Sequence, residues 1–273
     1  MNTNQISLKT ILLDMDGVLW HAYQPLVDVK FLFKRIHEMG LTAFCVTNNS
    51  TRSVSSHLKG LAGLGIELDA YQIITSAEAT AAFLEGKYPQ KGNLFVIGER
   101  GLREALEDKG FGIQANHTGE EVLAVIVGLD QQLVYQDLRQ AVDHLQRGAD
   151  FVGTNPDLTI PTSAGPAPGA GTIIRGIEVS SGVTPQIIGK PHQALFQLAL
   201  TRAKCEPGEA LMVGDRLETD IRGAQAMGIH TALVLSGISS REQAENWEPK
   251  PDIIADDVLQ VLELIGEGHA KSV

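Results

Sequence analysis

The chain has 273 residues, with 22 Lys and Arg against 33 Asp and Glu, a formal charge of −11; hydrophobic residues make up 43% and charged residues 20%. That much apolar material excludes disorder as the main state. An acidic balance excludes good complementarity to a nucleic-acid backbone or to an anionic membrane surface.

The length admits one large domain or two smaller ones. No run approaches about eighteen consecutive apolar residues, so no spanning helix is expected. The polar start, MNTNQISLKT, lacks the apolar core and cleavage site of a secretory leader. Two cysteines cannot build a disulfide framework, and Cys45, in an apolar run, reads as a small core residue. Asn48-Asn49-Ser50 matches a glycosylation acceptor only formally. These features predict a cytoplasmic, reduced protein.

Ile11-Leu12-Leu13 reads as a short buried strand ending at Asp14. A helical face follows (Leu26, Val29, Leu32, Phe33, Ile36) and stops at Gly40. Residues 43–46 form a second strand that ends in Thr47-Asn48-Asn49-Ser50, and Val54, Leu58, Leu61 and Leu64 mark another helix. Residues 71–74 predict a strand and residues 77–83 a helix. The texture restarts near Gly86, with strands at 93–97, 122–127 and 150–153 and helices at 102–106 and 133–145. Residues 159–171, rich in Pro, Gly, Ala and Ser, predict a loop, and Ile173-Ile174 with residues 177–179 a weak hairpin. After Gly182 the first style resumes: a strand at 186–188 before Gly189-Lys190-Pro191, a helix at 194–203, a strand at 211–213 before Gly214-Asp215, a helix at 221–227, short strands at 231–235 and 253–254, and a closing helix at 258–265. The alternation predicts an α/β fold: a doubly wound parallel core with a smaller α/β domain inserted. The expected division is core at residues 1–86 and 184–273, insert at 87–183.

Four strands end in polar residues: Asp14 with Asp16, residues 47–50, Lys190, and Asp215 followed by Asp220. Ligands of open parallel sheets bind beyond the carboxyl ends of strands. If the four strands share one sheet, their ends meet in one pocket. Carboxylates held together call for a cation, and an all-oxygen set suits Mg²⁺. A lysine and a hydroxyl beside it would bind an anion such as phosphate. One carboxylate could then act as nucleophile and another as proton carrier. Each residue also has a plainer reading: Asp14 and Asp16 as turn formers, Thr47 to Ser50 and Asp220 as helix caps, Lys190 as a solvated lysine.

Asp14-Met15-Asp16-Gly17-Val18-Leu19, Thr47-Asn48-Asn49-Ser50, Gly189-Lys190-Pro191 and Gly214-Asp215-Arg216-Leu217-Glu218-Thr219-Asp220 together resemble, in order, the four motifs of haloacid dehalogenase superfamily phosphatases. The insert between the second and third motifs, Trp20, and Gly153-Thr154-Asn155-Pro156-Asp157 resemble the C2-capped subfamily of NagD-like, 4-nitrophenyl-phosphatase and phosphoglycolate-phosphatase enzymes. The resemblance spans nearly the whole chain. It implies a Mg²⁺-dependent phosphatase acting on small phosphomonoesters (4-nitrophenyl phosphate, phosphoglycolate, nucleoside monophosphate or sugar phosphate) through an aspartyl-phosphate. It implies Asp14 as nucleophile and metal ligand, Asp16 as general acid/base with its carbonyl on the metal, and Asp215 as metal ligand. Thr47, Asn48 and Asn49 would contact phosphate, Lys190 would be the stabilising cation, and Asp220 would hold a metal-bound water or Lys190. The cap loop with Asn155, Ile160 and Pro161 would select substrate, its apolar Ile160-Pro161 disfavouring a highly charged leaving group. A homodimer is compatible with the resemblance.

Two alternatives stay open. A phosphotransferase or mutase would use the same aspartyl chemistry, but such relatives carry their cap between the first two motifs, and the stretch from Asp14 to Thr47 leaves little room for one. A catalytically idle binding protein on the same fold should have lost Asp14, Asp16, Lys190 or Asp215, and all are present. Val96-Ile97-Gly98-Glu99-Arg100-Gly101 lacks a full nucleotide-loop pattern and reads as a strand–helix turn. His21, His192 and His230 are too scattered for a zinc site.

Overall fold

The computed structural model describes residues 8–21, 24–114, 121–162 and 165–270. Internal contacts divide the chain into two compact units. The first runs to Thr47 and includes Leu58–Ile74 and the chain from Phe196 onward; the second comprises Asn48–His57 and Thr75–Leu195.

A six-stranded sheet forms the first unit, in the order Ile253–Ala255, His230–Val234, Ala210–Gly214, Thr10–Leu13, Thr42–Thr47, Ile73–Thr75. Thr10–Leu13 lies centrally, parallel to both neighbours, with Leu13 opposite Val213 on one side and Cys45 on the other. All four residues of this strand and all five of Ala210–Gly214 are buried, as expected where helices cover both faces of a parallel sheet. Helix Val29–Glu38 starts where the Asp28 side chain accepts the Phe31 N–H at 2.9 Å, and it buries Val29, Leu32 and Ile36 along one stripe.

The second unit holds a five-stranded parallel sheet in the order Gln186–Ile187, Asp150–Gly153, Ala124–Val127, Asn93–Ile97, Gly112–Ile113. The chain enters at Asn93–Ile97, steps outward to Gly112–Ile113, then crosses to the other side, so this sheet is doubly wound as well. Phe95, Ile97, Val125, Val127, Phe151, Ile174 and Ile177 lie in its core.

The structure corrects several local expectations. Residues 159–171 are not one loop. Thr159–Thr162 and Gly165–Pro168 pair as an antiparallel hairpin, and helix Ala170–Ser181 follows in place of a hairpin. Its buried residues Ala170, Ile174, Ile177 and Ser181 keep helical spacing, which the preceding Pro and Gly obscure. The strand at residues 71–74 shortens to Ile73–Thr75, preceded by a tight turn at Ala70–Gln72. The helix expected at 221–227 forms as Arg222–Ala226, and a wide turn, Leu217–Ile221, runs directly into it.

The correction that bears most on function concerns Gln186–Ile187. This strand pairs with Asp150–Gly153, so Lys190 leaves the second sheet; three of the four motif-bearing strands, not four, share the first. Contacts within the chain cluster with seams at 47/48, 57/58, 74/75 and 195/196. Helix Ser76–Lys87 lies wholly within the second unit. Its Glu85 pairs with Lys109 at 2.7 Å and its Lys87 with Asp150 at 2.6 Å, both inside that unit.

Candidate active site

In the first unit, the parallel register sets Asp14 and Asp215 just past the ends of adjacent strands. The wide turn Leu217–Ile221 returns Asp220 to the same place. Carboxylate oxygens of Asp14, Asp215 and Asp220 all lie within 4.8 Å of one another. Asp14 is 8% exposed, Asp215 1% and Asp220 0%. Backbone N–H groups orient Asp215 and Asp220: Ile238 donates to Asp215 Oδ2 at 2.9 Å and Arg216 to Asp220 Oδ2 at 3.1 Å. Ser239 Oγ accepts the Leu217 N–H at 3.1 Å, closing the loop around them.

Space for these carboxylates comes from glycines. Gly17 turns the chain after Asp14 with φ of +90°, held by its N–H to the Trp20 carbonyl at 2.7 Å and by Ser236 Oγ donating to its own carbonyl at 2.7 Å. A Cβ on Gly214 or Gly237 would overlap the side chains of Asp220 and Asp215 respectively. Three buried like charges at this separation repel strongly, and the set contains only oxygen donors, so the residues present fit a hard divalent cation. Asp220 lies in the same cluster as Asp14 and Asp215. The Asp16 side chain is half-buried and outside this trio among the described residues. Burial, with the Asp14 charge beside it, pushes the Cys45 thiol up to about 12, in keeping with a core residue.

Thr47 is buried at the end of its strand. The helix expected to start on residues 47–50 begins only at Val54, so these residues do not cap it. Asn49 Oδ1 instead accepts the N–H and the hydroxyl of Thr51, each at 2.9 Å, in a local turn.

In the second unit, Lys190 is 2% exposed, which removes the reading of a solvated lysine. Asn48 brackets its backbone: Oδ1 accepts the Lys190 N–H at 2.8 Å and Nδ2 donates to the Lys190 carbonyl at 3.1 Å. The same Nδ2 donates to Asp157 Oδ2 at 3.1 Å. The Asn48 carbonyl accepts Ser76 Oγ at 2.6 Å and Asn155 Nδ2 at 2.8 Å. Asn155 Oδ1 in turn accepts the Asp157 N–H at 3.1 Å. Sequence reading gave Asp157 and Ser76 no role. The Gly153–Asp157 motif was the available signal for Asp157, whereas nothing local marked Ser76. Ile160 is half-buried in the Thr159–Thr162 strand, opposite Ala167, and Pro161 follows it opposite Pro166. Gly98 and Glu99 form the expected strand–helix turn, ahead of helix Arg100–Asp108. Among the described residues no histidine joins a ligand cluster, and no helix is long and apolar enough to cross a membrane.

A fold of this topology with acidic strand ends matches known proteins over most of the chain. Residues 11–112 match the family model described as haloacid dehalogenase-like hydrolase, and residues 187–261 match a second hydrolase model of that type. An acid sugar phosphatase of Staphylococcus aureus is 32% identical over 254 residues, covering 93% of this chain and 96% of the relative. The chain belongs to the haloacid dehalogenase-like hydrolases.

Two solved structures narrow the class. The 4-nitrophenylphosphatase of Thermotoga maritima superposes with a TM-score of 0.88 at 27% identity, over 96% of this chain and 98% of that one. NagD from Escherichia coli K-12 superposes with a TM-score of 0.84 at 30% identity, over 92% and 97%. Within the family the chain is a NagD-like phosphatase, a hydrolase of phosphate monoesters.

Proposed function

We propose that the protein is a Mg²⁺-dependent phosphatase of small phosphomonoesters, sugar phosphates and 4-nitrophenyl phosphate among them, working through an aspartyl-phosphate on Asp14. The observation that carries this reading is the buried trio Asp14, Asp215 and Asp220 within 4.8 Å. The names of the relatives support the substrate classes.

Asp14, Asp215 and Asp220, with the Asp16 carbonyl, would hold Mg²⁺. When bound, the ion supplies positive charge against that of the transferring phosphoryl group. The Asp14 carboxylate attacks phosphorus, and the ester oxygen leaves with a proton from Asp16. Asp16 then takes a proton from water, whose oxygen attacks the phosphoaspartate. Phosphate departs and the Asp14 carboxylate is restored. Thr47 and the backbone N–H groups of Asn48 and Asn49 would hold phosphoryl oxygens, and Lys190 would offset their charge. The inserted segment at residues 87–183 serves in this reading as the cap, with Asn155, Ile160 and Pro161 choosing the substrate. A reducing, cytoplasmic setting suits the free cysteines Cys45 and Cys205.

Phosphate release from 4-nitrophenyl phosphate and a sugar-phosphate panel tests the proposal, with Mg²⁺ or chelator and beside Asp14→Asn. Mg²⁺-dependent turnover that vanishes in Asp14→Asn is the expected result. Turnover that survives the substitution would remove Asp14 as the nucleophile.

A further inference from the structure

We infer that the Asn48 side chain is a positioning group for Lys190, with Asp157 as its brace, and is not itself a phosphate ligand. The inference rests on the phosphatase reading above for the role of Lys190, and on geometry within the second unit for everything else.

A primary carboxamide has one oxygen acceptor and two N–H donors. Both N–H groups of Asn48 are engaged, one on the Lys190 carbonyl and one on Asp157 Oδ2, each at 3.1 Å. Its oxygen takes the Lys190 N–H at 2.8 Å. The side chain thus holds residue 190 from both its N–H and its C=O, as a neighbouring strand would. It has no further N–H to give to a phosphoryl oxygen.

Position 190 needs such a hold. The strand before it, Gln186–Ile187, has only two residues, and past it the Ile188 and Gly189 N–H groups bond to Gly153 and Thr154 carbonyls at 3.0 and 2.8 Å. The ladder then ends, and Pro191 has no N–H with which to continue it. Asn48 supplies the next rung. A Cβ on Gly189 would come within 2.6 Å of both Asn48 Oδ1 and the Thr154 carbonyl, so glycine there lets the clamp close.

The clamp is itself fixed. Ser76 and Asn155 donate to the Asn48 carbonyl, and Asn155 also accepts from the Asp157 backbone. Asp157 opens the stretch that leads to the Thr159–Thr162 hairpin strand. One carboxamide therefore couples the backbone of the cation to the segment proposed to select substrate.

Two measurements decide the inference. The first is a kinetic cycle on 4-nitrophenyl phosphate hydrolysis with Mg²⁺, combining Asn48→Ser with Lys190→Met. Asn48→Ser alone should lower kcat on the order of 100-fold with KM little changed, since misplacing a charge affects the transition state more than the bound ester. In the Lys190→Met background the same substitution should have little further effect. Asp157→Asn, which keeps an oxygen acceptor, should stay near wild type, while Asp157→Ala should share the loss. A full 100-fold loss in both backgrounds would overturn the inference and make Asn48 a phosphate contact in its own right.

The second measurement needs no turnover. Amide hydrogen exchange in a peptide covering residues 186–192 should quicken in Asn48→Ser while exchange in the six-stranded sheet stays as in wild type. Unchanged exchange at residues 186–192 would overturn the clamp. Absence of Mg²⁺-dependent turnover in the wild-type protein would count against the phosphatase reading, and the exchange result would still decide the clamp.

Discussion

A Cβ added to Gly17 would lie 2.5 Å from both Cγ and Oδ2 of Asp215. The turn after the first strand is therefore shaped to the carboxylate on its neighbour. Gly17 also has φ of +90°, which costs an L side chain roughly 1–2 kcal/mol. Gly17→Ala should lose that amount plus the clash, about 2–4 kcal/mol in all, and bind Mg²⁺ more weakly. Gly40, at φ of +73° with nothing within 4 Å of its Cβ position, is the control: Gly40→Ala should carry only the conformational part, about 1 kcal/mol. Urea unfolding and calorimetric Mg²⁺ titration separate the two effects.

The carboxylate trio predicts opposite effects on metal affinity and on metal-free stability. Asp220→Asn keeps an oxygen that can accept the Arg216 N–H but removes one of three buried like charges. Mg²⁺ affinity should fall roughly 10–100-fold. In chelator, the same variant should melt at a temperature at least as high as wild type, because repulsion among the carboxylates is relieved. A lower melting point in chelator would mean that the charge itself supports the fold.

His57 sets an acid limit. It is buried, and its Nε2 has no hydrogen-bond partner among the described residues. Burial, helped by the Arg52 charge, pushes it down from 6.5 to about 4. The unfolded chain takes up this proton below pH 6.5 while the folded protein resists until about pH 4. Stability is therefore whole above pH 6.5 and is lost as pH falls toward 4, by about 3 kcal/mol from this group. His57→Leu should flatten the slope of unfolding free energy across that interval, as read from denaturant midpoints at several pH values. An unchanged slope would place the acid sensitivity elsewhere.

Ile160 gives a test of substrate choice. The side chain is half-buried in the hairpin and apolar. If this strand meets the leaving group, Ile160→Lys should raise the ratio of kcat/KM for phosphoglycolate over 4-nitrophenyl phosphate by roughly tenfold. A profile that does not move would remove the hairpin from specificity.

The acidic cluster was legible because its determinants are local. Short apolar strands stop at Asp14 and Asp215, and parallel register then sets those residues side by side. The second unit was less legible. Gln186–Ile187 is too short to show a period, so its sheet could not be assigned from sequence. Helix Ala170–Ser181 was hidden because the Pro- and Gly-rich stretch before it masks its start. The partners of the Asn48 carboxamide lie 109 and 142 positions away, beyond any local pattern. Asp220 lies five positions past Asp215, and the wide turn Leu217–Ile221, which brings its carboxylate to the cluster, has no local sequence signature.

The way contacts partition the chain bears on the building of chimaeras. A donor module grafted at residues 87 and 183 would take Asn155 and Asp157 from one parent and leave Asn48 and Lys190 in the other. Hydrogen bonds that join these four residues would then depend on two unrelated histories. Crossovers at 74/75 and 195/196, with residues 48–57 transferred as well, would move the whole set as one inherited block. Recombination libraries drawn on those seams should retain more folded, active members than libraries cut where the amino-acid texture changes.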